Sequence, residues 1–161
     1  MTKTIFILGA EGVGKSSVLD LLKKEFLGID FYDFDEVGVP EDPSLQWRLD
    51  TTLHWINKSL ENQKKGKITC VLGLFFPEEL KGFENFEKLK EVSFCLLNVG
   101  ERERERRLKK RGATKEVIED VENLLGLRKQ IKEITGKVID TSKLSIEETF
   151  ERLKDFIEGL K

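Results

Sequence analysis

The sequence is poor in the residues on which disulfide-held or metal-built proteins depend, with two cysteines, one histidine and three prolines in 161 residues. Cys70 and Cys95 lie in separate apolar runs with no C-x-x-C or zinc-ligand spacing, which predicts buried reduced thiols and no structural zinc. His54 stands beside Trp55 with no second ligand near it in the sequence, and is read as structural or exposed. No apolar run reaches membrane-spanning length, and the N-terminus lacks the charged, apolar and small-residue order of a signal peptide. A cytoplasmic protein with no membrane partner is therefore expected. A surplus of positive charge is missing as well. The formal net charge is −2 and the pI about 5.7, so no global field favours nucleic acid, whereas a small anionic ligand needs only local charge. The 39% hydrophobic content and the length predict a single domain over residues 1–161.

What is present is a complete G-x-x-x-x-G-K-[ST] pattern, Gly9-Ala10-Glu11-Gly12-Val13-Gly14-Lys15-Ser16, directly after the apolar run Ile5-Phe6-Ile7-Leu8. The chemistry of a polyphosphate explains each part. Glycines at 9, 12 and 14 permit positive-φ turns that point backbone N–H groups into one anion-binding concavity. Lys15 supplies an ammonium for the β- and γ-phosphates, Ser16 a hydroxyl for Mg²⁺ with Ser17 beside it, and a helix starting at Gly14 or Lys15 aims its positive end at the same charge. The strand before the loop and Val18, Leu19, Leu22 and Phe26 at helical spacing after it supply the context this motif requires.

The rest of the chain alternates strand and helix without repeat or linker, predicting an α/β fold with a parallel sheet covered on both faces. A continuous apolar strand at Thr4 to Leu8 precedes a helix from about Lys15 to Leu27, stopped by Gly28. A second strand, Ile29 to Phe34, carries Asp33-Phe34-Asp35 at its carboxyl end, where ligands bind in open α/β sheets. Residues i and i+2 of a strand or its continuation share a face, so both acids can turn toward the phosphate loop, Asp33 to Mg²⁺ and Asp35 to an acceptor hydroxyl. The alternative is a pair of ordinary loop acids, one capping a turn.

Asp42-Pro43 reads as the start of a helix reaching about Lys64, with Leu45, Leu49, Leu53, Ile56 and Leu60 as its buried stripe. Another face presents Trp47, Arg48, Thr51, Thr52 and Trp55. Either Arg48 and Trp55 line an acceptor pocket, arginine on an anion and indole on a flat group, or the tryptophans finish a core beside a surface arginine. A third strand, Lys67 to Leu72, ends at Gly73, which either admits a ligand against the backbone or simply turns the chain. No acid closes this strand, which leaves Asp33 to serve the metal.

After a fourth strand, Glu91 to Val99, residues 101–111 hold seven basic and three acidic side chains. Pairs such as Glu103 with Arg107 and Glu105 with Lys109 fit a solvated helix. Arg104, Arg107 and Arg111 nevertheless fall on one helical face, suited to neutralising a transferring phosphoryl group. Arg107 and Arg111 are assigned to the site, Arg102 and Arg106 to solvent. Thr114 caps a further helix with Val117, Ile118, Val121, Leu124 and Leu125 as its stripe; Lys137 to Asp140 is a fifth strand; Ser145 and Glu148 form a capping box for a last helix. The Asp140 to Lys143 turn reaches the carboxyl edge of the sheet, beside a nucleotide base or as an ordinary loop.

With these residues in hand, the chain resembles the small phosphate-loop kinases, among them the adenylate, shikimate, gluconate and adenylylsulfate kinases. The resemblance spans nearly the whole chain through the loop, Asp33-x-Asp35, Arg107-Leu108-x-x-Arg111 and Val138-Ile139-Asp140-Thr141-Ser142. It implies a three-layer fold around a five-stranded parallel sheet in the order 2-3-1-4-5, an acceptor region over residues 33–60 and a lid near 101–115. Arg107 and Arg111 match the R-x-x-x-R that opens the lid in adenylate kinase-like members. Glu119-Asp120 with Arg128 matches a pair of acids followed by an arginine, which adds Arg128 to the catalytic set. Val117 stands where that pattern has a further arginine, the Gly73 to Pro77 segment lacks an acid, and the triple glycine of shikimate kinase is absent. The acceptor is therefore not transferable. The expectation is an ATP- and Mg²⁺-dependent phosphotransferase acting on a small molecule, with Lys15, Asp35, Arg107, Arg111 and Arg128 catalytic. The other reading is a nucleotide-bound switch acting through a protein or RNA partner, its GTPase form disfavoured by the lack of an N-K-x-D motif.

Overall fold

The computed structural model describes residues 3–10, 12–134 and 136–160. Five strands, β1 (Thr4–Leu8), β2 (Ile29–Asp33), β3 (Ile68–Gly73), β4 (Val92–Asn98) and β5 (Lys137–Asp140), form one sheet in the order β2-β3-β1-β4-β5. Every pairing is parallel, and in the centre Ile5 lies between Cys70 and Ser93, Leu8 between Gly73 and Leu96. All five carboxyl ends therefore gather along one edge, the edge at which the phosphate loop follows β1.

Alternation along β1 feeds two cores. Ile5 and Ile7 point to α1 (Lys15–Glu25) and to α7 (Ile146–Gly159), meeting Val18, Leu22, Leu153 and Ile157. Phe6 and Leu8 point to the other face, where α2 (Leu45–Lys64), α3 (Pro77–Lys81) and α6 (Glu122–Glu133) contribute Ile56, Leu80 and Leu127. This is why β1 is buried along its whole length and reads as a continuous apolar run. Each such side chain contributes about 1.5–3 kcal/mol on burial. Cys70 and Cys95 are both fully buried free thiols. Among the described residues, no helix is long and apolar enough to cross a membrane.

Several element boundaries differ from the sequence reading, each for a local reason. The first helix ends at Glu25, because Phe26 leaves helical geometry and packs its ring 6.2 Å from Phe31; Leu27 is 90% exposed. The second strand ends at Asp33, and residues Phe34–Val37 form a 3-10 turn. Ser44, not Asp42, caps α2 by accepting a hydrogen bond from Trp47 N–H at 3.0 Å. The buried face of α2 is Thr51, Thr52, Trp55, Ile56, Ser59 and Asn62, whereas Leu45 of the expected stripe is exposed. The polar members of that face are satisfied locally. Thr51, Thr52 and Ser59 donate to carbonyls four residues back, and Asn62 donates to Tyr32 Oη and Thr69 Oγ1, so their burial leaves no orphaned polar group.

The expected helix after Thr114 is two helices. Following α4 (Glu101–Lys110), the chain forms α5 (Lys115–Glu119), breaks at Asp120, and resumes as α6. Asp120 is extended, with φ −79° and ψ 101°, and its carboxylate accepts from Glu122 N–H. The buried Arg104 takes the carbonyls of Val117, Ile118 and Asp120, which removes these acceptors from a continuous helical ladder.

Candidate functional site

The phosphate loop has the conformation its glycines permit. Gly12 and Gly14 have φ of 84° and 97°, and Gly14 is the N-cap of α1. Gly9 serves a different need from the one expected of it: its φ is not left-handed, but a Cβ there would come 2.5 Å from Val13 Cγ2. Gly12 lies against α4, where a Cβ would stand 3.2 Å from Leu108 Cγ and 3.3 Å from Arg104 Cγ. The Lys15 ammonium lies inside the loop, donating to the carbonyls of Gly9 and Ala10. Ser16 and Ser17 are exposed at the first turn of α1, facing the cleft described below. Glu11, expected within the loop, lies outside the described residues.

Opposite the loop, the 33–37 turn is held from several directions. Asp33 Oδ1 accepts from Asp35 N–H at 2.8 Å, and Glu36 Oε1 accepts from Asp33 N–H at 2.7 Å, a capping box for the 3-10 turn. Phe34 is buried and stacks on Phe75 at 5.2 Å, while its carbonyl accepts from Trp55 Nε1 at 3.0 Å. With Phe34 fixed inward, Asp33 and Asp35 both border the cleft. Thus Asp33 does cap a turn, as the alternative reading held, and it also borders the cleft. Gly73 borders the same cleft at the end of β3, but the contact that requires glycine there is with Phe34, whose Cβ lies 2.2 Å from where a Gly73 Cβ would be.

The third wall is α4. Arg107 donates to Glu103 Oε1 at 3.0 Å, to the loop carbonyl of Gly12 at 3.3 Å, and to Thr141 Oγ1 at 3.1 Å, with a further bond to the Thr141 carbonyl. It thereby ties α4 and the end of β5 to the phosphate loop. Arg106 forms a bidentate pair with the same Glu103. The Arg106 hydrogen bond foremost, with Arg107 adding, holds the Glu103 carboxyl down at about 2 against the upward push of desolvation. Arg106 and Lys110 border the cleft together with Arg107 and Arg111, with the Arg106 side chain 63% exposed to solvent. Arg104, on the same predicted face, is buried and donates to carbonyls of residues 117–120, and so ties α4 to the segment that follows it. Beyond β5, Ser142 and Lys143 close the rim; the Ser142 hydroxyl, and then its N–H, hold Asp140 below its usual value.

These walls enclose one cleft of about 1140 Å³. Of the expected site residues, the structure brings Gly12 to Ser17, Asp33, Asp35, Arg48, Gly73, Arg107 and Arg111 to it. Gly9 and Ala10 are buried at the base of the loop and do not border the cleft, and Trp55 and Arg128 are placed elsewhere. Trp55 is 4% exposed, lies 4.9 Å from Tyr32 by ring centroids, and belongs to the core; Trp47, two turns earlier on α2, takes its place at the cleft. Arg128 donates to Asn98 Oδ1 and the Val99 carbonyl, both at 2.7 Å, and fastens α6 to the end of β4 instead of entering the cleft. Sequence reading also missed Lys110 and Asn123. Lys110 carried a signal, one turn beyond Arg107; Asn123 carried none, because its position depends on the break at Asp120. Arg48 borders the cleft while donating through Nε and Nη2 to Glu79, with its guanidinium 5.0 Å from the centre of the Phe76 ring.

No family model and no curated protein matches the chain. Solved structures do. A sugar kinase from Janibacter sp. superposes with a TM-score of 0.71 at 15% identity over 98% of this chain and 95% of that one. A gluconokinase from Sinorhizobium meliloti gives 0.65 at 16% over the same shares, and a deoxyadenosine kinase from M. mycoides with bound dATP gives 0.59 at 18% over 96% of this chain and 99% of its own. The fold is that of the phosphate-loop small-molecule kinases.

Proposed function

We propose that this chain, with the fold of the phosphate-loop small-molecule kinases, is an ATP- and Mg²⁺-dependent phosphotransferase acting on a hydroxyl group of a small molecule. One observation carries the reading: a complete phosphate loop, two carboxylates of the 33–37 turn and the arginines of α4 border one cleft large enough for a nucleotide and a second ligand. The positive-φ loop directs its N–H groups at a polyphosphate, and Lys15 exchanges its two loop carbonyls for phosphate oxygens.

The Ser16 hydroxyl and the Asp33 carboxylate are hard oxygen donors on the same cleft, the ligand type Mg²⁺ takes when most of its shell is phosphate and water. These two residues would hold the metal there, where it would supply neutralising charge for the phosphates. Asp35 accepts the proton of the acceptor hydroxyl, whose oxygen forms the new bond to the γ-phosphorus as the bond to the β–γ bridging oxygen breaks and ADP leaves. Arg107 and Arg111 stabilise the charge spread over the transferring group. Arg128 is a positioning residue for β4 in this scheme. The test is acceptor-dependent ADP release across nucleosides, nucleoside monophosphates, sugars and sugar acids. Release stimulated by one class supports transfer; ATP binding with no stimulated release by any of them overturns it.

A further inference from the structure

The strand order sorts the charges of the cleft. On the loop and beyond β4 and β5 stand Lys15, Arg106, Arg107, Lys110, Arg111 and Lys143. From the β2 and β3 side the only cation bordering the cleft, among the described residues, is Arg48. That cation is already matched, by a two-point contact with Glu79 and by the Phe76 ring beneath it. At the start of α2, Ser44 Oγ already takes the Trp47 N–H. Set against this are the carboxylates Asp33 and Asp35 on the same side. A phosphate or carboxylate on the acceptor would meet like charge and no uncommitted arginine fork.

The same wall is apolar. Val39 and Leu45 are 50% and 58% exposed, and both border the cleft beside the half-buried Trp47 and Leu74, so that four apolar side chains share one wall. Trp47 stands edge-on to Phe34, with ring centres 6.0 Å apart, and so presents its indole from α2 next to the Asp35 turn.

We infer that the acceptor is an uncharged alcohol with a flat or apolar body, the chemistry of a nucleoside, and not a metabolite bearing a phosphate or carboxylate. The inference rests on the phosphotransferase reading. The Arg48–Glu79 pair is the selecting device: it offers bulk and a fixed polar edge without net charge, and the exposed apolar side chains take the body of the acceptor.

The test is calorimetric titration of the full chain, saturated with a non-hydrolysable ATP analogue and Mg²⁺, with adenosine, thymidine, their 5′-monophosphates and gluconate. At least one nucleoside is expected to bind at least about tenfold more tightly than its monophosphate and than gluconate. Glu79→Gln releases the charge of Arg48 and is expected to narrow that gap several-fold, while Trp47→Phe retains nucleoside binding and Trp47→Ala loses about tenfold, with analogue affinity unchanged in all three. Tighter binding of a monophosphate or of gluconate, or no nucleoside binding, overturns the inference. Because this readout is binding, its failure is separable from that of transfer. Turnover of an anionic acceptor overturns the acceptor class alone, and nucleoside binding without ADP release overturns transfer alone.

Discussion

Asp35 is the residue at which enzyme and switch part. Its backbone N–H is fixed by Asp33 Oδ1 and its neighbour Phe34 by the core, so Asp35→Asn keeps these two anchors of the turn while removing the carboxylate's charge and basicity. Acceptor-dependent ADP release should fall by about 10²–10⁴-fold with ATP affinity unchanged, as measured by initial rates and calorimetry; a rate equal to the parent would remove Asp35 from the chemistry. Glu103 makes a second prediction. Its folded value, about 2, lies below the ordinary 4.5, so its pairing with Arg106 and Arg107 is fully present above the ordinary value and is lost as pH falls through about 2. A side-chain NMR titration should find Glu103 still ionised near about pH 3, where an unpaired glutamate is protonated. Protonation at an ordinary midpoint would mean that the arginines do not hold it. At this scale the loop was legible, because four residues of three types at fixed spacing encode a local conformation. Trp55 and Arg128 were misplaced because a side chain's destination is set by its neighbours: Phe34 O claims one, Asn98 the other.

Among the elements, the α4–α5 hairpin depends on Arg104, which is 4% exposed, passes its stem along Gly12 and spends its guanidinium on three carbonyls of residues 117–120. Its Nε has no hydrogen-bond partner among the described residues, so the polar satisfaction of the guanidinium rests on those carbonyls. Arg104→Met keeps the stem but leaves the carbonyls unsatisfied, and is expected to cost about 2–4 kcal/mol in urea unfolding. Amide exchange should rise selectively over residues 115–121; uniform protection would show that α5 holds itself. A second element-scale prediction concerns β3. In Gly73→Ala the new methyl would meet Phe34 Cβ at 2.2 Å, which forces the 33–37 turn outward. Stability should fall by about 1–3 kcal/mol, and Mg²⁺-dependent nucleotide affinity should weaken with it. An unchanged midpoint would show that the turn gives way without strain. The strand count was readable from the apolar runs, but α3, the break between α5 and α6, and the face of α2 were not. Leucine spacing predicted one stripe, and threonine and serine hydroxyls bonded back to their own helix made another face just as easy to bury.

At the scale of the molecule, the two cores meet only through the sheet, and each cysteine sits in it under full cover. Burial pushes the Cys70 thiol up, with Cys95 adding to it, and pushes Cys95 up to about 12. Both should therefore resist a thiol reagent at neutral pH until the sheet opens, so that labelling in urea follows the global unfolding transition. Fast labelling of the native protein would mean local opening of β3 or β4. The sequence by itself determined the loop, the alternating strands and helices and the parallel sheet, because glycine spacing, apolar runs and turn residues act within a few residues of chain. Tertiary structure decided the site's other half. The strand order brings β2 and β4 to opposite sides of the loop. Arg48 is then neutralised by Glu79, Arg104 is turned inward, and Trp47 is placed at the cleft where Trp55 had been expected. Those choices depend on partners distant in sequence, where satisfying a buried charge or indole outweighs any local preference.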